Sequence, residues 1–329
     1  SRPKEDQALK IVKPARLEKR ATVGIVSPSG FSEPFGLGQA ISYLKELGYK
    51  VVLGECTRNL TRSHFSSGKD DARARELMTM FGDSKVDAIF CSRGGYGAMR
   101  ILDLLDFGVI KDNPKIFMGF SDITTLHVAI HQRTGLVTFH GPSIEGYAGD
   151  NAEKDPPAGK ENIDRAMAML SKAEPWGRLD NPPRGMLLRT VVPGKAKGRT
   201  IGGNLTMLTH TLGTEDSVRT DGRILFVEDV FVSEYDLDRL LTHMLLTGKL
   251  QKTAGIVFGQ VSSFTKREMP GPSLEEVIQD RIGQLKGVPS FTGLCCGHGA
   301  MKLIVPEGVT ASIDATAPAL TIEESPLKG

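Results

Sequence analysis

From about Ala21 to Gly141, short apolar runs alternate with longer segments whose apolar residues recur at helical spacing. "ATVGIVSPSG" (Ala21 to Gly30) reads as a buried strand ending in a turn. "GLGQAISYLKELGY" reads as a helix stopped by Gly48. "KVVLGE" (Lys50 to Glu55) is the next strand and "DDARARELMTMFGD" the next helix. "VDAIFCSRGGYG" is a strand meeting a glycine-rich turn, and "AMRILDLLDF" is helical. "KIFMGF" is then a strand running into a helix over Ile123 to Arg133. Such repeats predict a doubly wound, mostly parallel sheet of the Rossmann or flavodoxin-like kind, with ligands beyond the carboxyl ends of its strands.

The texture changes between Gly146 and Gly185, where "GDNAEKDPPAGKEN" and "NPPRG" concentrate proline, glycine and charge around one helical insert near Ile163 to Leu170. Beyond it, "MLLRTVVPGKAKGRTIGGNLTML", "GRILFVEDV", "TAGIVFGQV" and "KLIVPEGVTASIDA" look like strands, and "DLDRLLTHMLLTGK" like an amphipathic helix. The expected organisation is an α/β domain over 1–146, a linker region over 147–185 and a less regular α+β domain over 186–329. A length of 329 residues suits two domains. No internal repeat or low-complexity tract is visible.

Composition narrows the function classes. Forty-one Lys and Arg against 39 Asp and Glu give a formal charge of +2, no field for nucleic acid or anionic lipid. No apolar run reaches the roughly 18 residues of a membrane helix. Cys56, Cys91, Cys295 and Cys296 form no CxxC pair and read as reduced, mostly buried thiols, which suits a cytoplasmic location. A start at Ser1 leaves open an exported protein whose signal has been removed.

The candidate chemistry begins at Gly119-Phe120-Ser121-Asp122, where strand turns abruptly into helix. A serine on such a turn stands clear of the sheet, as in a nucleophile elbow, although Gly119-x-Ser121-x-Ile123 is not GxSxG. Capping a helix is the commoner job for Ser121 or Asp122. An activated serine needs a base and the base an orienting acid. His127 and His131 stand at i, i+4 without the glutamate of HExxH, so packing is the better account of them. His298 lies between glycines in a loop, and Glu228 ends an apolar strand. "RGGYG", with Gly94, Gly95 and Tyr96, and "IGGNL", with Gly203 and Asn204, would let backbone and amide groups approach a substrate; each also suits a plain turn.

As a set, "SRGGYGAMRILDLLDF", "NPKIFMGFSDITTL", "GRTIGGNL", "ILFVEDV" and "GHGAMKLIVPEGV" resemble the LD-carboxypeptidase family, serine peptidases of the S66 type, from about Thr22 to Ile322 and in the family's order. That family includes muramoyltetrapeptide carboxypeptidases and microcin C immunity peptidases. The resemblance implies Ser121 as nucleophile, His298 as base, Glu228 as its orienter, and the amides of Gly95 and Asp122 as oxyanion donors, with the site at the domain interface. It implies hydrolysis of the L,D bond before a terminal D-alanine of a murein tetrapeptide, with neither cofactor nor metal, in a homodimer. A microcin-type immunity peptidase, cleaving a peptidyl- or aminoacyl-nucleotide amide, is the alternative. It would want an aromatic platform for the base, and Trp176 is the only tryptophan. A non-catalytic peptide-binding homologue is the other rival.

Overall fold

The computed structural model describes residues 9–147, 156–262 and 271–329. In the first half, strands β1 (Thr22–Val26), β2 (Lys50–Leu53), β3 (Ala88–Cys91), β4 (Ile116–Gly119) and β5 (Thr138–His140) are parallel. Helices α1 (Pro34–Glu46), α2 (Glu55–Arg58), α3 (Asp70–Gly82), α4 (Phe107–Asp112) and α5 (Thr124–Thr134) lie between them. Parallel neighbours need such crossovers, and strands covered on both faces read as unbroken apolar runs. β3 and β4 are buried at every residue.

The run "AMRILDLLDF" divides in two. Ala98–Leu104 is a 3₁₀ helix, and α4 starts afresh because the Asp106 side chain accepts hydrogen bonds from Gly108 N and Val109 N. An N-cap of this kind satisfies amides that the preceding turn cannot. Helix α5 is buried along nearly its whole length and stops at Gly135, whose φ of 79° needs no β-carbon.

The chain continues through α6 (Pro156–Leu170), β6 (Gly177–Arg178), β7 (Arg189–Val192), β8 (Lys195–Asn204), α7 (Leu205–His210) and β9 (Arg223–Val230). It ends with α8 (Glu234–Leu246), β10 (Gly255–Ser262), α9 (Leu274–Gly283), β11 (Ser290–Thr292), β12 (Val305–Glu307), β13 (Thr310–Asp314) and β14 (Ala319–Ile322). Capping boxes start α8 (Ser233 with Asp236) and α9 (Ser273 with Glu276). The second sheet runs β6-β14-β13-β8-β9-β10-β11-β7. Its centre, β8 to β11, is parallel and its flanks are antiparallel.

Two features bind the halves. Strand β12 crosses back and pairs antiparallel with β5, so the first sheet runs β12-β5-β4-β3-β1-β2. One core also joins Val23, Phe90 and Phe139 of the first sheet to Phe226, Val257 and Phe291 of the second. The segment expected as linker contributes to that core. Ile163, Ala166 and Leu170 of α6 are buried in it, and the helix begins at Pro156 rather than near Ile163. Its charged Lys160, Glu161, Asp164 and Arg165 face the surface while one face packs, a pattern that composition alone does not separate from a tether.

Candidate active site

Strand β4 ends at Gly119, Phe120 is extended, and Ser121 adopts a φ of 65° before the 3₁₀ turn Ser121–Ile123 leads into α5. A left-handed serine costs of order 1–3 kcal/mol and persists where its surroundings fix it. They do so here. A β-carbon on Gly94 would lie 2.7 Å from Ser121 Cβ and 3.1 Å from its Oγ. The glycine loop therefore touches the serine with bare backbone.

That loop is braced from two sides. The buried Asp122 carboxylate accepts from Ser29 Oγ at 2.5 Å and from Ala98 N at 2.7 Å. Burial pushes its acidity down, raising the pKa, and the hydrogen bond from Ser29 only partly offsets this. Arg73, fully buried on α3, donates to the carbonyls of Gly97, at 2.9 Å, and Pro28, and pairs with Asp70. Gly95 and Asp122 line the same cleft as Ser121.

The second half supplies the partners. Glu228, on β9 and 0% exposed, accepts from His298 Nδ1 at 2.7 Å. A carboxylate can only accept when ionised, so this bond protonates Nδ1 and leaves Nε2 as an acceptor. Nε2 lies 2.9 Å from Ser121 Oγ. The loop carrying His298 is tied down by Gln260, which accepts from Gly299 N at 2.8 Å, and by the two cysteines before it. Cys296 O accepts from Gln260 N, Cys295 O from Leu303 N, and Cys295 N donates to Asn181. Cys295 and Cys296 are buried and hold the loop through backbone, and Cys295 Sγ also accepts from Met186 N at 3.3 Å.

Asn204 stands opposite Glu228 in the β8–β9 register. Its side chain caps α7 and donates to Asp229, whose carboxylate also takes the Thr206 amide and hydroxyl. Its own amide donates to Thr124 Oγ1 at 2.9 Å, in the first turn of α5. Gly203 makes that approach possible, since a β-carbon there would sit 2.5 Å from the same oxygen.

The resulting cleft has a volume of about 500 Å³. Gly94, Gly95, Ser121, Asp122, Asn204 and His298 line it, and so do Arg93, Thr206, Met207, Phe231 and Lys302, which the sequence patterns had not singled out. Arg93 was hidden in a stretch read for its glycines, and Lys302 follows His298 by one helical-type spacing without a helix. Phe231 is 75% exposed on a left-handed backbone with a φ of 60°, a ring at the rim that no sequence pattern marks.

Two expected substrate contacts lie elsewhere. Tyr96 packs edge-to-face on Phe65 and lines a separate groove with Asp70 and Arg100. Gly203 serves the packing of β8 on α5. Trp176 also leaves the site, lining a smaller cavity with Arg165, Arg178 and Leu303. His127 and His131 are buried, and burial lowers both to about 4, so they are neutral near pH 7. His127 Nε2 bonds Gly119 O at 2.8 Å, and His131 Nδ1 bonds Leu136 O at 3.0 Å.

Family models described as LD-carboxypeptidase N-terminal domain and LD-carboxypeptidase C-terminal domain match residues 23–141 and 197–313. A probable murein peptide carboxypeptidase of Bacillus subtilis is 38% identical over 96% of this chain and 96% of its own length. The chain belongs to the LD-carboxypeptidase family. It is a serine-type hydrolase of peptide bonds. Among solved members, a muramoyltetrapeptide carboxypeptidase from Oxalobacter formigenes superposes with a TM-score of 0.78 at 29% identity, covering 93% of this chain and all of that one. The structure of MccF in complex with glutamyl sulfamoyl guanosine gives 0.86 at 25% identity, over 96% and 99%. The two-sheet α/β fold of the family is therefore the fold of this chain.

Proposed function

We propose that this enzyme removes the terminal D-alanine from murein tetrapeptides through a Ser121–His298–Glu228 triad. The observation that carries the proposal is the unbroken hydrogen-bond chain from the buried Glu228 through His298 to a strained, cleft-facing Ser121. His298 Nε2 takes the hydroxyl proton as Ser121 Oγ bonds to the scissile carbonyl carbon. Negative charge on the former carbonyl oxygen is met by the amides of Gly95 and Asp122, each donor contributing a few kcal/mol in such chemistry. His298 then protonates the leaving amine, the C–N bond breaks and D-alanine departs. Water attacks the acyl-enzyme with His298 again as base, restoring Ser121.

Arg93 and Lys302 bring two cations to the wall of a cleft whose substrate ends in a free carboxylate. We assign them to that carboxylate. Relatives named murein peptide and murein tetrapeptide carboxypeptidase support the substrate class. A cytoplasmic homodimer acting in murein recycling completes the proposal; among the described residues no helix is long and apolar enough to cross a membrane.

The likeness to MccF supports a second reading, an aminoacyl-nucleotide amidase. Trp176 is not available for a base, because it lies in another cavity. Phe231 is the exposed ring at the rim. Offering the purified enzyme a murein tetrapeptide and an aminoacyl sulfamoyl nucleoside side by side decides between them. The murein proposal requires D-alanine release in wild type and its loss in Ser121→Ala. Turnover of the nucleoside alone would overturn it.

A further inference from the structure

Behind the nucleophile, three buried side chains converge without bonding to one another. His127 of α5, His140 at the end of β5 and Glu307 at the end of β12 each aim one donor atom at a common point, those atoms lying within 4.8 Å of one another. All three residues are at most 1% exposed. His127 Nδ1, both ring nitrogens of His140 and both carboxylate oxygens of Glu307 make no well-formed hydrogen bond, with the Gly202 amide near the carboxylate. Buried polar atoms in such numbers are rare and costly, of order 1–3 kcal/mol each, unless something occupies the space between them.

The chemistry of the three groups says what fits. His127 Nε2 contacts Gly119 O, which can only accept, so this nitrogen carries the proton and Nδ1 is a lone pair. Burial pushes the Glu307 carboxyl up toward its neutral form. A cation bound between the three groups would draw that proton off and leave a ligating carboxylate. His140, free of bonds at both nitrogens, can turn a lone pair to the same point. Three buried groups that can each offer a lone pair to one point suit a cation. Two imidazoles and one carboxylate form a ligand set for zinc or a neighbouring first-row metal, whereas calcium and magnesium take oxygen ligands. Tetrahedral coordination would set the ligand atoms roughly 3.4 Å apart, inside the span observed. The contact from His127 Nε2 to the Gly119 carbonyl is also the outer support that metal-bound histidines use.

We propose that His127, His140 and Glu307 form a structural binding site for a divalent transition metal, zinc foremost. The Phe120 ring stands between this site and the cleft, 6.2 Å from the His140 ring and 4.8 Å from that of His298. Substrate therefore cannot reach the metal, and its work is to staple α5, β5 and the returning strand β12 behind the serine. The three ligands come from both halves of the chain, so the staple fixes the halves against each other.

Metal content of the full chain, tag removed and grown with zinc, tests this after exhaustive dialysis. Stoichiometric zinc is expected in wild type and in His131→Ala, whose histidine shares the helix but not the cluster. Background levels are expected in His140→Ala and Glu307→Gln. Wild type at background, or zinc retained in both ligand variants, would overturn the site in favour of a buried water. Should the variants not fold, protein grown with Co²⁺ gives the answer in wild type alone. Visible d–d bands without a thiolate charge-transfer band support nitrogen and oxygen ligands, while a thiolate band or no cobalt contradicts them.

Discussion

A β-carbon on Gly297 would lie 2.5 Å from Glu228 Oε2, the oxygen that accepts from His298. The glycine before the histidine is thus required by the acid of the proposed triad, and its φ of 117° disfavours any side chain. Gly297→Ala should therefore tilt the imidazole and lower kcat about 100-fold, since misplacement by about 1 Å costs that much in aligned chemistry. Full activity in a folded Gly297→Ala enzyme would show that the Glu228 contact does not position His298.

Arg93→Ala should raise KM about ten-fold or more and leave kcat closer to wild type, because a lost charged hydrogen bond costs about 1.5–3 kcal/mol. The check is a substrate whose terminal carboxylate is replaced by an amide. It should already bind poorly to wild type and lose little further in Arg93→Ala. An equal penalty on both substrates would remove Arg93 from carboxylate recognition.

Acid should weaken the fold through Glu324. Burial alone would raise its pKa, but Lys13, at 2.9 Å, and the amide and hydroxyl of Thr310 prevail and hold it at about 2, below the usual 4.5. A depressed carboxylate stabilises the fold above its unfolded pKa and loses that contribution as pH falls toward the folded one. Urea midpoints of wild type and Glu324→Gln should differ near pH 7 and converge as pH falls from about 4.5 to about 2. A gap independent of pH would mean that packing, not charge, carries the effect.

Brief treatment with a chelator should leave peptidase activity unchanged. Every proton transfer in the proposed reaction runs through Ser121 and His298, and the His127 cluster is closed to solvent. Rapid loss of activity, restored by a divalent ion, would place a metal in the chemistry itself.

Legibility followed locality. The break at Ser121 could be read because strand, turn and helix are consecutive, and the capped start of α4 was missed because Asp106 sits inside an apparently continuous helical run. The meeting of Ser121 with His298, 177 positions away, is a tertiary event that no spacing encodes; only the ordered motifs of the family pointed to it. Tyr96 and Gly203 have neighbours in sequence that line the cleft, yet the Tyr96 ring turns away onto Phe65 and Gly203, with no side chain, serves a close approach to Thr124. Lys302 and Arg93 carry no sequence mark of lining the cleft, because charge on a loop has no direction until the loop is folded.

The most direct test of the triad is a double-mutant cycle on kcat for D-alanine release, using Ser121→Ala, His298→Ala and both together. Residues that act as one unit do not add, so each single variant should lose roughly 10⁴-fold or more and the double variant little beyond either. Losses that multiply in the double variant would mean that Ser121 and His298 act independently, and would contradict the mechanism.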